Sequence, residues 1–279
     1  MNDLRLPRGV LALSQRTHVM GIVNVTPDSF SDGGLYHDER AAIDHGLRLA
    51  DEGADVLDIG GESTRPGAEP VAEDEEIRRT APVVEALAAK TGLAVSIDTT
   101  KAAVARAALD AGAQIVNDVA AGRADPDLLP LVAQRGAAVV LMHMQGTPRT
   151  MQQDPSYTDV VTDVRDFLAE RAAAAQAAGI GRDMIVIDPG IGFGKTTAHN
   201  LALLNRLDAI CALGHPVLVG TSRKSFIGAV LDGLPVSERI EGTAATVALA
   251  IARGSRFVRV HDVGAMVRVA RMCDAVLNG

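Results

Sequence analysis

Eight short apolar runs punctuate the chain, and each closes on polar or charged residues. They are HVMGIVN (18–24), VLDIGGEST (56–64), AVSIDT (94–99), IVNDV (115–119), AVVLMHM (138–144), MIVIDPG (184–190), PVLVGTSRK (216–224) and FVRVHD (257–262). The runs are rich in Val and Ile and nearly continuous in apolar character, as parallel strands covered on both faces are. The stretches between them predict helices over 40–53, 73–90, 101–111, 126–135, 158–179, 198–211, 239–253 and 263–277. In the first of these, Ala41, Ile43, Leu47 and Ala50 are expected on one buried side. The second opens acidic, at the end where the helix dipole favours negative charge. Several helices run into glycine (Gly53, Gly92, Gly112, Gly136, Gly179, Gly214 and Gly254), the residue that accepts a left-handed C-terminal cap. Eight strand–helix units in succession predict an α/β fold, a (β/α)8 TIM barrel, as a single domain over 1–279 with the barrel proper at about 18–279. An open doubly wound sheet is the alternative, because periodicity does not show closure.

Two strand-to-helix connections are long, roughly 26–39 (TPDSFSDGGLYHDE) and 62–73 (ESTRPGAEPVAE). Both mix Gly, Pro and Ser with charge, and connections of this length serve as lids or binding loops. No linker, low-complexity tract or 20–50-residue repeat divides the chain.

Composition narrows the class. The 279 residues are 47% hydrophobic and 22% charged, the balance of a globular domain long enough to bury its core without staples. The net charge of −8, with no Lys/Arg stripe, argues against nucleic-acid binding; an anionic ligand would need a local cluster of cations. Cys211 and Cys273 read as buried thiols in a reducing compartment. The opening MNDLRLPRGVLALSQRTH offers neither a signal peptide nor a membrane span, so the expected location is the cytoplasm.

The run ends carry the candidate chemistry, and Asp58, in the second run, is among the polar groups expected to gather there. Asp98, Asn117 and Asp188 end the third, fourth and sixth runs and should converge on a barrel mouth. Two carboxylates and an amide suit the amino-pyrimidinone edge of a flat heterocycle, which donates from an amine and a ring N–H and accepts at a carbonyl. The plainer reading is strand-end caps or salt-bridge partners for nearby loops. Thr64, Arg65, Ser222, Lys224, Arg259 and His261 follow the second, seventh and eighth runs and form an anion-seeking rim, where barrels often hold phosphate. The alternation in Arg259-Val260-His261 sends both polar side chains to one side of a strand. Against that stand a structural ion pair for Arg259 and a satisfied core imidazole for His261. Only 4 of the 27 basic residues are Lys, so Lys224 marks a place where a compact ammonium is wanted. Asn24, with Asp28 and Asp32 nearby, offers an oxygen that together with phosphate oxygens and waters could hold Mg2+; otherwise it is a turn residue bonding its own backbone. GIGFGKT (190–196) imitates a phosphate loop, but Pro189 stands where that motif needs Gly. His18 stands alone where barrel metallohydrolases carry an HxH pair, and neither HExxH nor GxSxG occurs.

MGIVNVTPDSFSDGG (20–34), DIGGESTRPGA (58–68), SIDT (96–99), IVNDV (115–119), LMHMQGTPRTMQ (141–152), DPGIGFGK (188–195), VGTSRKSFIG (219–228) and RVHDV (259–263) closely resemble the dihydropteroate synthase family. The resemblance runs from about residue 18 to the C-terminus. It implies a (β/α)8 barrel, Mg2+ dependence and a homodimer. The implied activity condenses p-aminobenzoate with 6-hydroxymethyl-7,8-dihydropterin diphosphate, and sulfonamides mimic p-aminobenzoate. It implies Asn24 as the Mg2+ ligand, and Asp98, Asn117, Asp188 and Lys224 as the pterin pocket with Met142 as an apolar wall. Thr64, Arg65, Arg259 and His261 become diphosphate contacts, and Pro66, Phe193 and Ser222 the aminobenzoate site. Asp98, Asp188 and Lys224 are the implied catalytic group. Where the family commonly has Ser-Lys after the third strand, this chain has Thr99-Thr100-Lys101, and Thr100 keeps a hydroxyl. Helix 263–277 is apolar on more than one face, which suits either a partner subunit or packing on the barrel. Two readings compete: a methyltetrahydrofolate-dependent methyltransferase, and a silent paralogue that binds pterin diphosphate.

Overall fold

In the computed structural model, which describes residues 3–25, 35–64, 67–147 and 149–279, eight strands pair side by side around a cylinder. They are β3 (His18–Asn24), β4 (Val56–Gly60), β5 (Ala94–Asp98), β6 (Ile115–Asp118), β7 (Ala138–Met142), β8 (Ile185–Asp188), β9 (Leu218–Val219) and β10 (Phe257–Val260). Every neighbouring pair is parallel, in the order β8-β7-β6-β5-β4-β3-β10-β9. A parallel bridge from Ile187 to Val217 joins the two ends, so the sheet wraps into a barrel and the open-sheet alternative falls. The strands stop where the apolar character of each run stops, which leaves the polar tails to the loops at the carboxyl end.

The helices are α1 (Leu35–Asp51), α2 (Glu73–Thr91), α3 (Ala102–Asp110), α4 (Leu128–Arg135), α5 (Val160–Ala177), α6 (Thr197–Asn205), α7 (Asp208–Cys211), α8 (Ser225–Val230), α9 (Ile240–Ala252) and α10 (Val263–Asn278). α2 carries Glu73, Asp74, Glu75 and Glu76 in its first turn, as its sequence predicts. The inward face of α1 differs from expectation: Ala42, Gly46 and Leu49 are buried, while Ala41, Ile43, Leu47 and Ala50 are only partly so. The reason lies at Gly46, where a Cβ would stand 2.5 Å from Leu87 Cδ1, so a bare glycine lets α2 press close.

Two short strands precede the barrel. β1 (Leu4–Leu6) and β2 (Gly9–Leu11) form an antiparallel hairpin. Leu4, fully buried, meets Met20, Ile115, Val140, Val186, Leu218 and Phe257 at the amino end of the barrel. Cys211 and Cys273 are free thiols, partly rather than fully buried, because both lie on outer helices. Among the described residues no helix is long and apolar enough to cross a membrane.

Candidate active site

At the carboxyl end, one hydrogen-bonded web joins side chains from four strands. Arg259 Nε donates to Asp58 Oδ2 at 2.6 Å and its Nη2 donates to Asp98 Oδ2 at 2.7 Å. Asn117 Nδ2 donates to the same Asp58 oxygen at 3.0 Å. Sheet register makes this possible, since Asp98 pairs with Asn117 on one side and with Gly60 on the other. Gly60 has no side chain to crowd Asp98. Asp58 is wholly buried, and its Oδ1 has no hydrogen-bond partner among the described residues. It holds a cation and an amide in fixed relation and reaches no solvent.

Burial sets the charges of the mouth. It pushes the Asp98 carboxyl up to about 7, while the facing Arg259 guanidinium pulls it back. Asp188 is likewise raised by burial; Lys224 and the Gly190 N–H, 2.7 Å from Asp188 Oδ1, oppose that rise. Burial lowers the Lys224 ammonium to about 8, with Asp188 restraining the fall. Lys224 Nζ donates to the Ile191 carbonyl and stands 4.6 Å above the Phe193 ring centre. Ser222 Oγ accepts from the His261 backbone N–H at 3.1 Å and shares a hydrogen bond with His261 Nδ1 at 3.0 Å, so the hydroxyl holds both the ring and the backbone of His261.

An apolar patch completes the wall: Val119, Met142, Met144 and Met151 pack together, with Phe193 against them. Beside Asp98 opens a cavity of about 270 Å3, lined among others by Thr64, Thr100, Val119, Arg123 and Met144. The residues lining this cavity follow β4 to β7, while Lys224 and Phe193 stand against each other after β9 and β8. Asn24 ends β3 half-buried beside Gly60. The expected residues Asn24, Thr64, Asp98, Asn117, Met142, Asp188, Phe193, Ser222, Lys224, Arg259 and His261 all stand at this end. Arg65 and Pro66, with Asp28 and Asp32, lie outside the described residues.

The structure adds Lys195 and His143 to the residues expected, and gives Asp58 a definite role. Asp58, third in the second run, takes that role only from contacts made 59 and 201 residues away in the chain. Lys195 and His143 form a buried pair below the β8 loop, with Lys195 Nζ and His143 Nδ1 2.9 Å apart. The scarcity of lysine was a usable signal for Lys195. Arg259, placed by its sequence either at the anion rim or in a structural ion pair, stands at the mouth and forks between the Asp58 and Asp98 carboxylates. Lys101 lines the cavity beside Asp98 but is engaged by carboxylates: its Nζ donates to Glu62 Oε2 at 2.5 Å and to Glu76 Oε2 and the Val71 carbonyl at 2.6 Å.

A parallel barrel whose mouth sets acidic acceptors against buried cations and a methionine-lined wall defines a pterin-binding enzyme, and the family model described as pterin binding enzyme matches residues 20–261. The dihydropteroate synthase of Bacillus subtilis is 48% identical over 268 residues, 96% of this chain and 91% of that protein. That of Mycobacterium leprae is 50% identical over 93% of each chain. A solved Xanthomonas albilineans dihydropteroate synthase with 4-aminobenzoic acid superposes with a TM-score of 0.93 at 50% identity, covering 100% of this chain and 99% of that one. A Yersinia pestis dihydropteroate synthase in a sulfonamide drug complex gives 0.93 at 43% identity, covering 99% and 100%. The chain belongs to the dihydropteroate synthase family.

Proposed function

We propose that this chain condenses p-aminobenzoate with 6-hydroxymethyl-7,8-dihydropterin diphosphate, giving 7,8-dihydropteroate and diphosphate in folate biosynthesis, and that it works in the cytoplasm. The observation that carries the reading is the Arg259 fork, which brings acidic acceptors and a partly buried cation to one opening. In the reaction the pterin methylene–oxygen bond breaks, the electron pair leaves with diphosphate, and the arylamine nitrogen forms the new bond and loses a proton. Asp98 and Asp188, ionised, accept from the pterin amine and ring N–H and stabilise the positive charge that spreads over methylene and ring. Arg259, His261 and Thr64 donate to the departing anion, and Lys224 donates to the pterin carbonyl. The arylamine is a neutral nucleophile, so Phe193 and Ser222 contribute by placing it.

Asn24 fits Mg2+ as a single neutral oxygen ligand. Among the described residues no group of three or more His, Cys, Asp and Glu could hold a metal, so the rest of the shell suits waters and diphosphate oxygens. Mg2+ bound there would neutralise charge on the diphosphate. The same reading includes a homodimer through the C-terminal helices, supported by Leu249, Met272 and Val276, which are exposed on α9 and α10.

The deciding assay mixes purified chain, p-aminobenzoate and the pterin diphosphate, with and without Mg2+, and separates products by chromatography. Dihydropteroate and diphosphate in equal amounts, formed faster with Mg2+, is the expected result. Tight pterin diphosphate binding without product would identify a silent paralogue. Methyl transfer from methyltetrahydrofolate would support the methyltransferase reading, which leaves the Ser222, Lys224, Arg259 and His261 rim without a purpose.

A further inference from the structure

The loop from β8 to α6 is held by side chains at every step. Five consecutive carbonyls, Gly190 to Gly194, each accept a side-chain hydrogen bond. Gly190 and Phe193 accept from Lys195 Nζ, both at 2.9 Å. Ile191 accepts from Lys224, Gly192 from Gln152 Nε2 at 2.7 Å, and Gly194 from Tyr157 Oη at 2.6 Å. Gly190, Gly192 and Gly194 all have φ in the left-handed region, at 64°, 86° and 61°. The loop thus exposes its backbone polar groups to partners it does not itself contain.

Lys195 is the inner anchor. It is 3% exposed, and among the described residues no carboxylate lies within ion-pair distance of it. Burial pushes its amine well below the usual lysine range, so hydrogen bonding rather than an ion pair holds it there. Its Nζ lies 2.9 Å from each of Gly190 O, Phe193 O and His143 Nδ1, and 3.3 Å from His143 O. His143 offers a lone pair because burial pushes its imidazole down to about 3. The ring of His143 is in turn wedged by Tyr157 and Phe167, at 5.9 and 4.8 Å between ring centres. What the anchor fixes is Phe193, whose own backbone oxygen it grips and whose ring lies beneath Lys224.

We propose that Lys195 is a positioning residue for the arylamine acceptor: from beneath, with His143 behind it, it sets the height and tilt of Phe193. This rests on the reading of Phe193 as a wall of the p-aminobenzoate site. Lys195 touches no reacting group. The loop also carries the Gly190 N–H to Asp188, but Asp98 and Asn117 hang on other strands and Asp188 keeps Lys224 as a second neighbour, so most of the pterin floor stands on elements the anchor does not hold.

The experiment compares Lys195→Met, Tyr157→Phe and Phe193→Ala with the parent chain in three measurements: KM for p-aminobenzoate, the dissociation constant of pterin diphosphate by calorimetry, and the melting temperature. Lys195→Met should raise the p-aminobenzoate KM about tenfold while the pterin constant stays within about twofold. An unchanged KM, or a pterin constant that worsens in step with KM, overturns the proposal. Tyr157→Phe removes a single hydroxyl tether and keeps the core, so it reads the loop even where Lys195→Met does not fold. It should raise KM by about threefold, and no rise overturns the proposal. Phe193→Ala should raise the same KM. If it does not, the acceptor-site reading fails and takes the proposal with it. If it does while Lys195→Met is inert, only the positioning role falls.

Discussion

An ionised Asp98 and a charged Lys224 coexist over a narrow interval of pH. Burial drives both toward neutrality, the carboxyl up to about 7 and the ammonium down to about 8. The kcat/KM for pterin diphosphate should therefore be bell-shaped, with its acid limb near the first value and its alkaline limb near the second. Asp98→Asn should lower kcat by roughly a hundredfold and flatten the acid limb; Lys224→Met should flatten the alkaline limb. A pH–rate series on the three proteins checks this, and unaltered limbs would remove both residues from the titrating set. Stability follows the opposite course to activity. The folded carboxyl of Asp98 binds its proton more tightly than the unfolded one, so its contribution is full below about pH 4 and is lost as pH rises through about 7. At this scale the run ends exposed most of the site, because polar groups closing apolar runs have few other uses. His143 and Lys195 were hidden, and the role of Asp58 was unspecified, because each takes its meaning from a contact that the local sequence does not contain.

Among the elements, the legible features were those set by local chemistry. All seven helix-ending glycines, from Gly53 to Gly254, have left-handed φ. Each of the eight runs holds a strand. What escaped notice depended on tertiary support. The β1–β2 hairpin has only three residues per strand, too few for alternation to register. The expected helix 198–211 breaks into α6 and α7 around Arg206 and Leu207. α8, six residues long, begins directly after Lys224, in the stretch between the seventh run and helix 239–253 for which the pattern predicts no element. Two glycines separate local from tertiary cost. Gly136 at φ 59° has nothing near a notional Cβ, so Gly136→Ala should cost only the left-handed strain, about 1 kcal/mol. A Cβ on Gly190 would collide with the His143 carbonyl oxygen, so Gly190→Ala should cost about 3 kcal/mol or more. Denaturant unfolding of the pair measures the difference, and equal losses would contradict the packing described for the β8 loop.

For the molecule as a whole, the two ends of the barrel have separate tasks. The outer face of α9 and α10 leaves Leu249 at 55%, Met272 at 64% and Val276 at 67% exposed. Met272 and Val276 lie one helical turn apart, so they present a common surface. Met272→Glu should shift the sedimentation coefficient from dimer to monomer at micromolar concentration, and a parent chain that already sediments as a monomer would dispose of the dimer. At the far end, Leu4 stoppers the barrel against six strand residues, on the amino-terminal side of the charged groups of the mouth. Leu4→Ala would cost about 2–5 kcal/mol, and none of that loss would be felt by the reacting atoms while the protein stays folded. Heat tolerance and turnover are thereby uncoupled: this enzyme can lose its durability from below without any warning in its rate.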